Sequence, residues 1–518
     1  MAIHPAEGLR RLPLLTAGIG ALLLTGALVV VAGALVGLTS FADAGFPDSA
    51  TLLRVGEFLR SGRLYPDLTQ PPYLATLYGP LTYVLLAVPF ALAQALGLDP
   101  VVAVRILVLA ALAACVWLVH LITRRQYGSA RVGGLCVLFA VSVPPLADWT
   151  AQVRGDLLAV ALSLLSVWLF VRWSGRRQIV GAALCAAAAL LVKQTALAAP
   201  MAFVAWLVLQ RRYRDAALLG AVFAAVAAGV IAAIFWREPL ALQHMAAIRQ
   251  PLFDHAGGFA MIRTALWQPA VPFAALGAIL LLWRRDDQGR LLVIYCVAAW
   301  LVAAATIQQV GGGFNYFWEP LLASAMLAGP GLRELQKRLT RTPLLFAVLL
   351  YLLLLKAFLP LLRQDVGHLG AYYRTAQTHE VRKARWRTFV ATISGRRFLS
   401  TFPDLTLHSS VPEIPDPFLN SVLERSGTWD PAPVVARIDA GAYELIVIAD
   451  GESDDHAPGY RGIRGWGADM WSAVKRSYRQ ACEFDGKEVW LPLQASTDIA
   501  ARLEAIGCVS VSAAPGAR

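Results

Sequence analysis

LPLLTAGIGALLLTGALVVVAGALVGL, residues 12–38, follows Arg10 and Arg11 and stays apolar for 27 residues. A helix needs about 20 apolar residues to cross a hydrocarbon core of roughly 30 Å, so this segment is long enough to span. It also exceeds the roughly 7–15 residues of a signal-peptide core, and it reads as an uncleaved signal anchor although Ala42-Asp43-Ala44 resembles a cleavage site. The 518-residue chain has the matching composition: 57% hydrophobic, 15% charged, mean hydropathy +0.57 and net charge +12. Such numbers exclude a disordered chain or a small disulfide scaffold and disfavour an ordinary soluble enzyme.

The charge is unevenly spread. Residues 1–362 carry 28 Lys+Arg and 15 Asp+Glu, whereas residues 363–518 carry 18 and 19. The expected architecture is a polytopic α-helical membrane protein over 1–362, with an outer loop at 39–76, followed by a small soluble α/β domain over 363–518. In that tail, Tyr443–Asp450 and Val489–Leu493 read as strands, Arg374–Arg397 is a basic stretch, and the loop at 451–465 is rich in Gly and Asp.

Further apolar runs lie near 77–97, 102–122, 132–146, 157–173, 179–192, 196–210, 217–235, 269–283, 290–308, 316–330 and 343–362. Basic clusters at Arg10/Arg11, Arg124/Arg125/Arg131, Arg172/Arg176/Arg177, Arg211/Arg212/Arg214, Arg284/Arg285/Arg290 and Arg333/Lys337/Arg338/Arg341 fall at every second connection. Lys and Arg mark cytoplasmic loops. The alternation is clean only if one run does not span. The misfit is 77–97, which opens with Tyr78-Gly79-Pro80 and contains Pro89. This leaves about 11 spans in a plasma (inner) membrane, with the N-terminus in the cytoplasm and the tail outside; the other reading is that 77–97 spans and a short pair, such as 179–192 with 196–210, is miscounted. Cys482 and Cys508 are the tail's two cysteines: an oxidising compartment would let them pair, and two buried thiols are the other reading.

Ionisable groups at membrane depth are costly, so they are candidates for function. With this topology they converge on the outer face. Asp43 and Asp48 follow the first span, and Pro47-Asp48-Ser49 starts an amphipathic interfacial helix over 49–61. Arg154 and Asp156 stand where a span begins, Asp156 complementing the helix dipole. Lys193-Gln194 splits two short apolar runs, and Lys193 is the only lysine in the first 300 residues. An ammonium at such a mouth suits a lipid phosphate. Gly311-Gly312-Gly313 precedes Asn315, Tyr316 and Glu319; the three glycines permit close backbone approach to a ligand, and Asn315 and Glu319, one turn apart, can face one cavity. No P-loop, GxGxxG strand–helix turn or Cys/His metal spacing occurs, and nothing calls for a nucleic-acid partner.

The order of these residues carries a resemblance: an Asp after the first span, a helix ending Gly62-Arg63-Leu64-Tyr65-Pro66, then Pro71-Pro72, Tyr78-Gly79-Pro80-Leu81, Arg154-Gly155-Asp156, Lys193-Gln194-Thr195 and Asn315-Tyr316-Phe317 with Glu319-Pro320. Over most of 12–362 the chain resembles bacterial GT-C-type membrane glycosyltransferases, the superfamily of protein O-mannosyltransferase-like and aminoarabinose transferase-like enzymes. The resemblance implies inverting transfer of a sugar from a polyprenyl-phosphate donor to a glycan, lipid or protein acceptor at the outer face. It implies Asp48 as the base, with Asp43 as second choice, and Asp156 as the second acidic residue. Arg154 and Lys193 would contact the donor phosphate, and Gln194, Tyr78, Asn315, Tyr316 and Glu319 would line the substrate site. The resemblance fixes no cofactor; a divalent metal is possible, although Asp48-Ser49 stands where many members have an Asp-Glu pair. The alternative class is a transporter or flippase of a lipid-linked substrate, which would set its polar residues near the bilayer midplane.

Overall fold

The computed structural model describes residues 12–40, 48–249, 252–283, 287–339, 344–449, 465–494 and 497–510. Asp43, and all of the 451–465 loop but Gly465, lie outside the described residues. The helical part runs α1 (Leu12–Thr39), α2 (Asp48–Ser61), α3 (Pro80–Ala95), α4 (Pro100–Tyr127), α5 (Ala130–Val141), α6 (Asp156–Arg172), α7 (Gly175–Val192), α8 (Ala198–Leu209), α9 (Tyr213–Arg237), α10 (Ala241–Arg249), α11 (His255–Leu266), α12 (Ala270–Trp283), α13 (Asp287–Thr306), α14 (Trp318–Leu339) and α15 (Leu344–Ile393). Every apolar run of the sequence carries a helix. Among the described residues, Ile19–Thr39, Pro100–Tyr127, Gly175–Val192, Tyr213–Arg237 and Gly289–Thr306 are each long and apolar enough to cross a membrane, and α11 with α12, bent by 70°, makes a sixth. Pro80–Ala95, Ala130–Val141 and Ala198–Leu209 are apolar but shorter.

The helices pack through small residues. A Cβ on Gly277 would come 2.0 Å from the Leu327 carbonyl oxygen, and one on Gly331 2.0 Å from that of Phe273, so α12 and α14 touch backbone to backbone. Close approach of this kind is how apolar helices gain contact where lipid removes the hydrophobic drive between them.

α3 occupies the 77–97 run. Gly79 N–H, just before it, donates to the Val192 carbonyl at 3.0 Å, and Thr82 Oγ1 donates to the same oxygen at 2.7 Å. Its far end leads through four residues to α4, where Arg105, little more than a turn in, reaches the Ser40 carbonyl at the end of α1.

α15 is continuous for 50 residues, about 75 Å at 1.5 Å per residue. The boundary expected at 362/363 therefore falls inside one helix. The apolar and basic stretches differ in composition but nothing between them breaks the helix, and Gly367 and Gly370 are absorbed within it. The soluble unit proper begins after Ile393.

That unit holds a five-stranded sheet of β1 (Phe398–Ser400), β2 (Leu445–Ala449), β3 (Tyr478–Glu483), β4 (Lys487–Pro492) and β5 (Val509–Ser510), in the order β1-β2-β4-β3-β5. β1 and β2 are parallel, with Phe398 opposite Leu445; the other pairings are antiparallel. Helices α16 (Pro403–Thr406), α17 (Pro417–Arg425), α18 (Ala432–Asp439), α19 (Ala468–Ser477) and α20 (Thr497–Ala505) complete it. The alternation of β2 decides both faces. Leu445 and Val447 pack with Phe389 and Ile393 from the end of α15, while Ile446 and Ile448 share a core with Leu68, Tyr73 and Ala75 of the first loop.

First loop and small domain thus build one core. Ile414 N–H donates to the Pro72 carbonyl at 3.2 Å, Asn420 Nδ2 to the Tyr73 carbonyl at 3.0 Å and Arg437 Nη2 to Tyr73 Oη at 3.0 Å. Cys482 and Cys508 form a disulfide that ties β3 to the residue before β5. The sequence separation of 26 corresponds to about 3–4 kcal/mol in the chain-entropy picture. Protein kept oxidised should therefore take up two more alkyl groups after reduction and unfolding than without reduction. Cys482→Ala should lower the melting temperature of the small domain while leaving the helical part folded; equal alkylation in both states would exclude the bond.

Candidate active site

Asp156 opens α6, where the free N–H groups of the first turn and the helix dipole favour an anion. Its carboxylate gathers three donors from three separate breaks in the helical bundle. Arg154 Nε reaches Oδ2 at 2.9 Å from the approach to α6. Lys193, in the link between α7 and α8, pairs with Oδ1. Asn315 Nδ2, in the 3-10 turn Phe314–Phe317 ahead of α14, reaches Oδ1 at 2.6 Å. Each cation also rests on an aromatic face, Lys193 Nζ 3.9 Å from the Tyr316 ring centre and the Arg154 guanidinium 4.9 Å from that of Trp149. Buried Tyr78 lies within electrostatic range of Arg154, Asp156 and Tyr316. Asn315 Oδ1 is buried without a partner.

Asp156, Lys193, Asn315 and Tyr316 line a cavity between α6, the α7–α8 link, α13 and α14 that also takes in Thr195 and Glu319. The expectation that Asn315 and Glu319 face one space holds, with different attachments. Glu319 is clamped from below by the hydroxyls of Ser163 on α6 and Tyr295 on α13, the latter at 2.9 Å. Gln194 stands apart: its side chain is exposed and donates to the Leu77 carbonyl at 3.3 Å. The three glycines serve packing more than an open approach. Gly311 needs its φ of +90° and abuts Phe418, and a Cβ on Gly313 would meet Trp149 at 2.5 Å.

Asp48 is the first residue of α2 and only 1% exposed. Oδ2 accepts from Arg105 at 3.1 Å and Oδ1 from the Val153 N–H at 2.8 Å. Val153 adjoins Arg154, so the two aspartates flank one short segment. Burial raises the Asp48 pKa above the usual carboxylate value, and the Arg105 charge opposes that shift. Arg105, also 1% exposed, escaped the sequence reading. A lone arginine inside the 102–122 apolar run was the available sign. Both carboxylates are ringed by cations, and among the described residues no three His, Cys, Asp or Glu side chains gather. The donor set does not suit a divalent metal.

Two devices hold the first loop against the helices. A Cβ on Gly79 would sit 2.0 Å from the Leu191 carbonyl oxygen, two residues before Lys193. Across the loop, Glu238 accepts the Leu64 and Tyr65 N–H groups at 2.8 and 2.7 Å, and buried His244 accepts from Thr76 N–H at Nδ1 (3.0 Å), leaving Nε2–H to donate to the Pro66 carbonyl at 2.7 Å.

Residues 77–251 match the model of glycosyltransferase family 87. That stretch contains Gly79, Arg105, Arg154, Asp156 and Lys193. The crystal structure of ArnT from Cupriavidus metallidurans bound to undecaprenyl phosphate superposes with a TM-score of 0.57 at 14% identity, covering 92% of this chain and 99% of that one. The fold is of the GT-C type. The apo form of the same ArnT gives a TM-score of 0.57 at 13% identity over 92% and 98% of the two chains. The Archaeoglobus fulgidus oligosaccharyltransferase tethered to an acceptor peptide gives 0.50 at 12% identity, over 92% and 74%. No curated protein matches the sequence. Family match and GT-C fold together carry the coarse reading of a membrane glycosyltransferase.

Gly79→Ala should displace the 191–193 backbone and weaken whatever activity depends on Lys193, while Gly56→Ala, whose Cβ would meet nothing closer than Phe90 at 3.9 Å, tests for a general loop effect. The His244 ring gives a pH signature. Burial lowers its pKa from 6.5 to about 4, so the unfolded chain binds the proton more readily. The associated stability, on the order of 3 kcal/mol, is complete above pH 6.5 and is lost as pH falls toward 4. His244→Asn should flatten the acid limb of the melting temperature between pH 6.5 and 4; parallel curves would remove His244 from that role.

Proposed function

We propose that this GT-C-type protein transfers a sugar from a polyprenyl-phosphate donor to an acceptor hydroxyl at the outer face of the membrane, with inversion. The observation that carries the reading is the pairing of Lys193 and Arg154 on one carboxylate beside a cavity between helices. A lipid phosphate entering from the bilayer would find two cations already held in place. An ammonium has three donors and Asp156 takes one, so Lys193 keeps capacity for a phosphate oxygen. The undecaprenyl phosphate in the ArnT structure has the chemistry such a pair would bind.

In this reading Asp48 removes the proton from the acceptor hydroxyl as its oxygen attacks the anomeric carbon. The bond from that carbon to the phosphate oxygen breaks on the opposite face. The departing lipid phosphate carries its own negative charge, which Lys193 and Arg154 stabilise. Asp156 and Asn315 are positioning residues for those cations. The raised pKa direction of Asp48 suits a base better than a freely solvated carboxylate would.

The outer-face assignment rests on charge. Asp48, Asp156, Lys193 and Glu319 stand at the helix ends opposite Arg124/Arg125, Arg172, Arg176/Arg177 and Arg333, and cytoplasmic loops hold the basic excess. This supports an N-terminus in the cytoplasm and a small domain outside, where the Cys482–Cys508 disulfide would be chemically at home. A transporter reading has less support, because the charged groups gather toward one end of the bundle.

With purified protein and labelled polyprenyl-phosphate sugars, Asp48→Asn should lower kcat by about 10²-fold or more. Lys193→Ala should act chiefly through the donor KM. Mass spectrometry of lipids, glycans and surface proteins from cells carrying Asp48→Asn should show the loss of one sugar. An unchanged glycome and unchanged kcat would take the base role from Asp48.

A further inference from the structure

A second concavity lies away from the cavity at Asp156, in the seam between the first loop and the small domain. It measures about 780 Å³ and is lined by Tyr73 from the loop and by Glu424, Thr428, Trp429, Asp469 and Ser472 from the domain. That volume is in the range of ligand-binding clefts. Its floor is aromatic, with Tyr73 and Trp429 meeting edge-on at 5.8 Å. Its rim is made of hydroxyls and carboxylates.

Two polar atoms here have no partner among the described residues. Trp429 is 7% exposed and its Nε1–H donates to nothing; Glu424 Oε2 is buried and accepts from nothing. Orphaned buried polar atoms are rare in folded proteins, and each calls for an explanation. One orphan is a donor and the other an acceptor. A sugar hydroxyl is both at once, so one polyhydroxylated ring satisfies both. A lysine-rich peptide would satisfy the carboxylates, but it has only backbone carbonyls to offer the indole N–H, whereas a sugar ring offers several hydroxyls. Apolar sugar faces also suit the aromatic floor, and Arg476 at one end, bound to Asp439 at 2.9 Å, works against a cationic occupant. Glu424 is pushed toward protonation first by burial and then by Asp469, which would also let it donate to a sugar oxygen.

We propose that this groove binds the distal part of a glycan acceptor, holding it while its terminal sugar reaches the reaction site. Tyr73 and Tyr78 are five residues apart in one segment, at most about 17 Å of chain, which is the length of a few sugar units. The groove would thus favour extended acceptors over monosaccharides. This inference rests on the glycosyltransferase reading for its purpose but not for its measurement.

The test is binding of neutral linear oligosaccharides (mannotetraose, maltotetraose and arabinotetraose) to the full chain in detergent, by saturation-transfer NMR and calorimetry, with tetralysine as the cationic control. At least one tetrasaccharide should bind saturably. Trp429→Phe, which keeps the ring and removes the N–H, should weaken it at least tenfold, and Glu424→Gln should weaken it independently in a protein with unchanged melting temperature. Asp48→Asn should bind it as the unaltered protein does. Absence of saturable binding, binding indifferent to both substitutions, or tetralysine binding in place of the sugars would each overturn the inference. Normal transfer by Asp48→Asn alongside Trp429-dependent binding would instead count against the transfer mechanism and leave the groove standing.

Discussion

The Asp156 carboxylate is the point on which the helical part closes. It takes one donor from the approach to α6, one from the link between α7 and α8, and one from the turn before α14. These are the places where the helices give way and polar backbone must be satisfied at the edge of an apolar medium. A single anion there pairs with two cations and fixes three chain segments relative to one another. Asp48 repeats the device one layer outward, joining Arg105 of α4 to the backbone of Val153. The segment from 153 to 156 is held from both sides, and the cavity lies beside it.

Much of this was legible in the residues. Every apolar run became a helix, because a stretch that must satisfy its own backbone in lipid has few other choices. The rarity of charge within apolar sequence singled out Asp156, Lys193 and Glu319, since each had to find a partner or a purpose. The β2 strand was visible as a short apolar run ending in Asp-Gly.

What was hidden lay in contacts between distant parts of the chain. Nothing local to Arg105 says that it ends on Asp48, and nothing at Glu319 names Ser163 and Tyr295. The change from apolar to basic composition near 362 looked like a boundary, yet composition alone does not break a helix. The docking of Tyr73 against Asn420 and Arg437 depends on hydrogen bonds between residues 347 and 364 positions apart, beyond any periodicity. The Gln194 side chain turned to the Leu77 carbonyl, since adjacent residues at a helix break point in different directions.

The unbroken course of α15 gives the small domain a phase as well as a distance. Each residue of helix adds a rotation of about 100° and a rise of 1.5 Å. Phe389 and Ile393 at its end enter the sheet's core, while Leu369 and Tyr372 pack where α1 presents Val29 and Val30. One residue inserted between those two anchorages would turn the sheet by more than a quarter circle and carry its Asn420 and Arg437 away from Tyr73. The spacing between the anchorages is therefore a screw thread: seven residues, close to two turns, would restore the phase but shift the sheet by about 10 Å along the axis, so a change of chain length there separates the domain from the loop that completes it.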